Sequence, residues 1–326
     1  MKKKIISTVI FSATAMIVGI ILILSAFAAA GFDYNALNGQ NIVHEQFTVE
    51  EEIFGEIEID SDTVDVEIII DPEADKTYVD FYQDASVLRN VKHENGKLTV
   101  ESGDRPWYKN IGIFWGRERL TVTLPTPAQG KVNIETDTGD VKIDLLAPES
   151  ISVSTDTGDV SFGTVTSDVI NIETDTGDVS CGTVNSDGIN IETDTGDVSL
   201  RGTSVTGVLS VSVKTGDVMI NSVTASSLRI ESTTGDVEIK DTITTAKMSI
   251  ATDTGEVEIN GADAPDIYIH TSTGDVEAAF YTGKIFDIDT STGDWRVPTS
   301  DPTGGKCRII TSTGDIDVRI VASTDN

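Results

Sequence analysis

The sequence is poor in the residues that most catalytic and metal-binding chemistry requires. Its 326 residues include two cysteines, three histidines, eight prolines and only 6% aromatics. Two cysteines 126 positions apart exclude a disulfide-stapled scaffold and a cysteine-rich zinc site. His44, His93 and His270 form no ligand spacing with one another or with a cysteine, and no Ser/His/Asp order can be assigned. No catalytic residue, cofactor or metal ligand is therefore expected. Basic residues are also scarce, with 23 Lys and Arg against 54 Asp and Glu. Residues 1–30 hold three of those bases and no acid, so the remaining 296 residues carry a net charge of −34. Nucleic-acid binding rests on neutralising phosphates with Lys and Arg, so this surface excludes a DNA or RNA partner.

Long hydrophobic runs are absent after residue 30, and there is one before it. Lys2, Lys3 and Lys4 precede an uncharged stretch of 26 residues, Ile5 to Ala30. A bilayer needs about 20 helical residues, and a signal-peptide core about 7–15. The run is long enough to be a single transmembrane anchor. The alternative is a cleaved signal sequence, because Ala26-Phe27-Ala28 and Ala28-Ala29-Ala30 both have the small residues of a cleavage site. Both readings place residues 31–326 outside the cytoplasm, since the basic end stays inside. No lipid-modifiable cysteine lies near residue 30.

What the chain has in abundance is repetition. A Thr-Gly pair followed by Asp, or once by Glu256, recurs with its glycine at Gly139, Gly158, Gly177, Gly196, Gly216, Gly235, Gly255, Gly274, Gly293 and Gly314, spaced 19 to 21 residues apart. A fixed period near 20 marks stacked repeats. Positions seven and five before each glycine, and two and four after it, are apolar in all ten repeats. Examples are Val132, Ile134, Val141 and Ile143 in the first and Cys307, Ile309, Ile316 and Val318 in the last. A spacing of two makes each flank a strand with one buried face, and the Thr-Gly pair a corner. Val165, Val184, Val205 and Val223 mark a third short side. No single coil can bury its face alone. Stacked coils can, so the expected fold is all-β: a parallel β-solenoid of about ten coils. The glycines are assigned a structural role at a corner that needs positive φ, and the cysteines are expected as buried free thiols.

Residues 40–130 are less regular. Ile57–Ile68 forms a worn coil with Val64 in the glycine place, 75 residues before Gly139 and close to four periods away. Thr77–Tyr82, Lys97–Glu101 and Leu120–Leu124 alternate as strands do. The expected organisation is an anchor or signal at 1–30, a linker at 31–39, an N-terminal β cap at 40–130, solenoid repeats at 131–322 and a tail at 323–326.

The worn coil, the Gly96–Glu101 and Leu120–Pro125 strands and the Gly-Asp-Val coils resemble the toast-rack β-strand-repeat family over roughly residues 40–320. That family is often labelled "putative adhesin". The resemblance implies a bacterial, extracytoplasmic β-helical domain linked with envelope-stress proteins of the phage-shock and Lia types, and it brings no catalytic residues with it. The functional expectation is a membrane-anchored envelope scaffold for adhesion or envelope stress, with an envelope glycan or a membrane protein as partner. The alternative is a β-helix protein that binds or cleaves polysaccharide.

Two local features add hypotheses. Asp137, Asp156, Asp175 and Asp194 form one acidic column, and Asp140, Asp159, Asp178 and Asp197 a second, which raises calcium binding against the simpler reading of a solvated turn face. The segment Asp104–Arg119 has four bases against two acids and carries Trp107, Tyr108, Phe114 and Trp115. Those aromatics either touch the membrane headgroup region or fold back over the core end.

Overall fold

The computed structural model describes residues 42–50, 54–103 and 118–322, and among them there are strands, turns and bends but no helix. No helix among the described residues is long and apolar enough to cross a membrane. The run at 1–30 lies outside them, as do Trp107, Tyr108, Phe114 and Trp115.

Seven strands make the N-terminal part: β1 (Ile42–Val49), β2 (Glu56–Ser61), β3 (Asp65–Ile70), β4 (Thr77–Asp84), β5 (Arg89–Glu94), β6 (Lys97–Ser102) and β7 (Arg119–Leu124). The repeats follow as β8 (Lys131–Thr138), β9 (Val141–Leu146), β10 (Ser150–Thr157), β11 (Val160–Thr176), β12 (Val179–Thr195), β13 (Val198–Arg201), β14 (Ser204–Thr215), β15 (Val218–Asn221) and β16 (Thr224–Thr234). The last eight are β17 (Val237–Thr254), β18 (Val257–Asp263), β19 (Asp266–Thr273), β20 (Val276–Phe280), β21 (Lys284–Thr292), β22 (Trp295–Arg296), β23 (Gly305–Thr313) and β24 (Ile316–Ile320).

The repeats pair in parallel with equivalent residues opposed: Val132 with Ile151, Ile151 with Ile170, Ile170 with Ile189. The ten glycine corners stack into one column, which makes about nine turns of a parallel β-solenoid. Outside the ninth repeat the inward columns are buried, and so are Val165, Val184, Val205 and Val223 of the third side. These side chains form one continuous core through the stack. Burying a Val, Leu or Ile side chain contributes about 1.5–3 kcal/mol, so the inward columns are the main source of stability.

Stacking does not follow chain order at either end. The worn coil lies directly on the first repeat, with Ile57 opposite Val132 and Val66 opposite Val141. Four periods of chain therefore do not make four intervening coils. The residues between fold outward instead: β6 and β7 stack on the far side of β2 and β3, and β4, β1 and β5 add antiparallel strands beyond them. At the other end β19 pairs with β23, and β23 with β21. The tenth repeat sits between the eighth and the ninth, and the ninth is the terminal coil. The inserted coil brings Lys306 opposite Asp266 and Arg308 opposite Asp287, and Arg308 reaches Asp287 at 3.6 Å.

This order corrects two expectations. Cys181 and Cys307 are buried free thiols, but six coil steps separate them, not the seven that chain order implies. The ninth repeat's inward column is not buried: Phe286, Ile288 and Val297 are half-buried and Trp295 is 60% exposed. A terminal coil has nothing stacked on one side.

Candidate functional site

The Thr-Gly-Asp corner is the most repeated chemical feature, and its parts hold coils together. A Cβ on any of the ten glycines would lie 1.9–2.1 Å from the carbonyl oxygen of the glycine in the neighbouring coil, or of Val64 below Gly139. Eight of them also have φ between +146° and +158°, but Gly139 and Gly158 do not. Close approach of coils, more than a left-handed corner, is thus what requires glycine along the whole column.

The acid after the glycine accepts a hydrogen bond from the backbone N–H of the equivalent residue one coil on. Asp65, Asp140, Asp159, Asp178, Asp197, Asp217 and Asp236 do so in turn, then Asp275 and Asp315, at 2.7–3.1 Å. The second acidic column is therefore an amide-capping ladder. Among the described residues no group of three or more His, Cys, Asp or Glu is placed to hold a metal. One rung is missing, from Glu256 to Asp275, where the longer side chain replaces Asp. Burial and the nearby charges of Glu277, Asp236, Glu258 and Asp275 raise the pKa of Glu256.

A second ladder was not anticipated. Six threonines three residues before the glycine, buried Thr174, Thr193, Thr252, Thr271 and Thr311 and half-buried Thr290, donate their hydroxyls to the glycine carbonyl of the neighbouring coil at 3.1–3.4 Å. The threonine adjacent to each glycine is exposed in all ten coils. The inner column is not complete: Thr136, Thr155 and Ser232 hold the same place with buried hydroxyls that have no hydrogen-bond partner among the described residues.

The most elaborate polar cluster lies where the chain leaves the eighth repeat for the ninth. Lys284 is buried, and its ammonium donates to the Asp263 carboxylate, to Ala264 O at 2.9 Å and to Thr282 Oγ1 at 2.9 Å. All three of its protons are therefore bonded. Gly305 lies opposite Lys284, and a Cβ there would be 2.7 Å from Pro265 O, so the inserted coil enters beneath the lysine through glycine. Tyr281 donates to Asp241 at 2.7 Å. Beside this cluster is a groove of about 690 Å³ lined by Ile243, Thr244, Asp263, Tyr281, Thr303 and neighbours. The hydroxyl of buried Thr244 has no hydrogen-bond partner. Alternation makes Lys284 legible as inward-facing, two residues before Phe286, but its acid partner is 21 positions upstream and outside the repeat columns.

The histidines do not converge. His44 on β1 bonds Asp80 at 2.6 Å and stacks on Tyr82, His93 on β5 meets the edge of Phe54, and His270 on β19 stacks with Tyr268. Burial pushes the pKa of both thiols up to about 12, which leaves them protonated and unreactive.

The arrangement resembles known structures. The fold matches a structure from Parabacteroides distasonis described as "Putative lipid binding protein", at 13% identity and TM-score 0.50, covering 86% of this chain and 98% of that one. A "putative adhesin" from the same species matches at 12% identity and TM-score 0.49, covering 86% and 98%. Another from Bacteroides fragilis matches at 14% and 0.45, covering 86% and 99%. At such identities the likeness concerns the fold alone. Comparison with curated proteins finds no match. The family Toastrack DUF4097 matches residues 54–209 and again 207–326. The chain therefore belongs to the Toastrack DUF4097 family.

Proposed function

We propose that this chain is a non-catalytic scaffold of the bacterial cell envelope that mediates adhesion, tethered to the membrane by residues 1–30 with residues 31–326 outside. The observation that carries this reading is the use of the repeat chemistry. The glycines pack against the neighbouring coil, and the aspartates after them and six of the inner threonines bond to it, which suits a rigid acidic spacer. Relatives of the same fold named as adhesins support it. Cleavage after residue 30 would give a secreted scaffold of the same kind, and an envelope-stress role is compatible with the same location. The aromatics Trp107, Tyr108, Phe114 and Trp115 belong to the segment joining β6 and β7, at the tethered end, where contact with headgroups would hold the rod upright.

Fractionation with protease shaving of intact cells tests the reading. The expected result is a membrane-bound chain degraded from outside, with less cell attachment to a surface after deletion of the gene. Recovery in the cytosol, or attachment unaffected by deletion, would refute it. A second reading is favoured by the groove beside Lys284. Its polar lining residues Asp263, Tyr281, Thr282 and Thr303 suit a glycan, and pull-down with purified wall glycan tests that alternative.

A further inference from the structure

A row of side chains crosses the outer face of the N-terminal strands, from β1 through β4, β7 and β3 to β9. His44 stacks on Tyr82 with ring centroids 4.3 Å apart and planes 4° from parallel, and its Nε2 meets Asp80 at 2.6 Å. The Arg119 guanidinium lies over the Tyr82 ring, 5.1 Å from its centroid. Asp65 stands opposite Arg119 on the next strand, but its carboxylate accepts the Asp140 N–H at 3.1 Å. Arg119 has no ion-pair partner among the described residues. Lys142, by contrast, is held by Glu67 at 2.9 Å and Asp144 at 3.2 Å. Tyr82, Arg119, Asp65, Asp140 and Lys142 border a cleft of about 480 Å³ beside Ile42. That volume lies within the roughly 300–1,000 Å³ of small-molecule pockets.

Charge decides what the cleft can hold. Asp65, Glu67 and Asp140 against Arg119 and Lys142 give 2 − 3 = −1. An isolated anion drawn to Arg119 would meet three carboxylates, and an isolated cation would meet the guanidinium. A ligand with one charge of each sign satisfies both walls. Spacing selects among such ligands. β7, β3 and β9 are successive strands about 4.8 Å apart, and β4, whose Tyr82 carries the guanidinium, lies on the other side of β7. The two poles suit a phosphate and an ammonium joined by a short chain better than an α-amino acid, whose charged groups share one carbon. We propose that the cleft binds a zwitterionic phosphoamine of the phosphoethanolamine type. Its phosphate sits on Arg119, where a guanidinium bonds it with two parallel donors, and its ammonium sits among Asp65, Glu67 and Asp140. The aromatic stack holds the guanidinium in place beforehand. Eleven residues, 31–41, separate Ile42 from the apolar run, and eleven extended residues span at most about 40 Å. A tethered chain thus has lipid headgroups within reach of the cleft, and a free phosphoamine is the other source. The proposal goes beyond the adhesive scaffold and does not depend on tethering, because soluble ligands test it.

The test is calorimetry on the full chain in micelles of an uncharged detergent. The probes are phosphoethanolamine and glycerophosphoethanolamine, the soluble diester of the lipid headgroup. The better of the two is expected to bind at least tenfold more tightly than inorganic phosphate or ethanolamine. Tighter binding of the diester assigns the lipid headgroup, and tighter binding of the monoester the free compound. Arg119 is exposed, so Arg119→Ala should weaken binding at least tenfold with an unchanged melting temperature. Asp140→Asn keeps an acceptor for the Asp159 N–H but removes a charge. It should weaken phosphoamine binding and strengthen that of inorganic phosphate. Should Arg119→Ala melt early, this opposite response decides. Phosphate or ethanolamine binding as tightly as both probes, binding indifferent to Asp140→Asn, or no binding of either probe at about 10 mM would overturn the proposal. So would unchanged binding by a stably folded Arg119→Ala variant.

Discussion

At the scale of single residues, the stack tolerates little at the glycine column and much elsewhere. Gly196→Ala would put a methyl 2.0 Å from the Gly177 carbonyl, and that neighbour is backbone and cannot swing away. The coils must separate locally, and a loss of about 3 kcal/mol or more is expected by denaturant unfolding. Gly188→Ala is the control, since its nearest atom is 4.0 Å away, and it should change stability by less than about 0.5 kcal/mol. The missing rung offers the opposite sign. Glu256→Asp should restore the bond to the Asp275 amide and stabilise by about 0.5–1 kcal/mol. Glu256 also makes a pH argument. Its folded pKa is raised by burial and by Glu277 and Asp236. The folded state therefore binds more protons than the unfolded state once pH exceeds the unfolded carboxyl value, and stability falls as pH rises from there through the folded pKa. Glu256→Gln should thus stabilise at pH 7 and lose that advantage below about pH 4, where the unfolded carboxyl is also protonated. Melting curves at the two pH values check both effects.

At the scale of elements, the coil is the unit that can be removed. Deleting 160–178 takes out one 19-residue period and rejoins Asp159 to Val179, so every inward column stays in phase. A cooperative all-β fold is expected by circular dichroism. Deleting 160–168 removes an odd number of residues, turns the following inward side chains to solvent and should abolish the cooperative transition. The ninth repeat is held differently from the others, through Lys284 reaching Asp263 and Ala264. Lys284→Ala leaves the Asp263 carboxylate without its cation in a half-buried site. A loss of about 3 kcal/mol follows for a broken buried pair. Hydrogen exchange should locate the loosening in 284–296.

At the scale of the whole molecule, the inserted tenth repeat makes the last two coils interdependent. Truncation after Gly304 removes β23 and β24, the only pairing partners of β21 and β22 among the described residues. Residues 284–296 should then lose amide protection entirely, while 131–280 keep theirs. A purely sequential solenoid would lose only its last coil and leave the ninth protected. Folding has a consequence too. The ninth coil cannot dock until the tenth has arrived on the eighth, so protection at 284–296 should appear last in refolding.

Much of this was determined by the sequence alone. The 20-residue glycine period, the two-residue alternation on either side of it and the lone valines of the third side dictate parallel in-register coils, because no other stacking buries all those columns together. The buried thiols and the worn coil at Val64 follow from the same phase. Some local features are legible in the sequence as well. Asn95 and Gly96, both at positive φ, turn the hairpin between β5 and β6, and Lys284 stands in an inward phase. Other features were decided only in three dimensions. Periodicity specifies that coils stack but is indifferent to their order, since every coil presents nearly the same edges to its neighbours. The order at the ends depends on pairings between residues far apart in sequence: Arg308 with Asp287, Lys284 with Asp263, and β4 against β7. Those long-range contacts also determine which coil is left terminal, and so place Phe286, Ile288 and Trp295 at an open end when their columns alone would bury them.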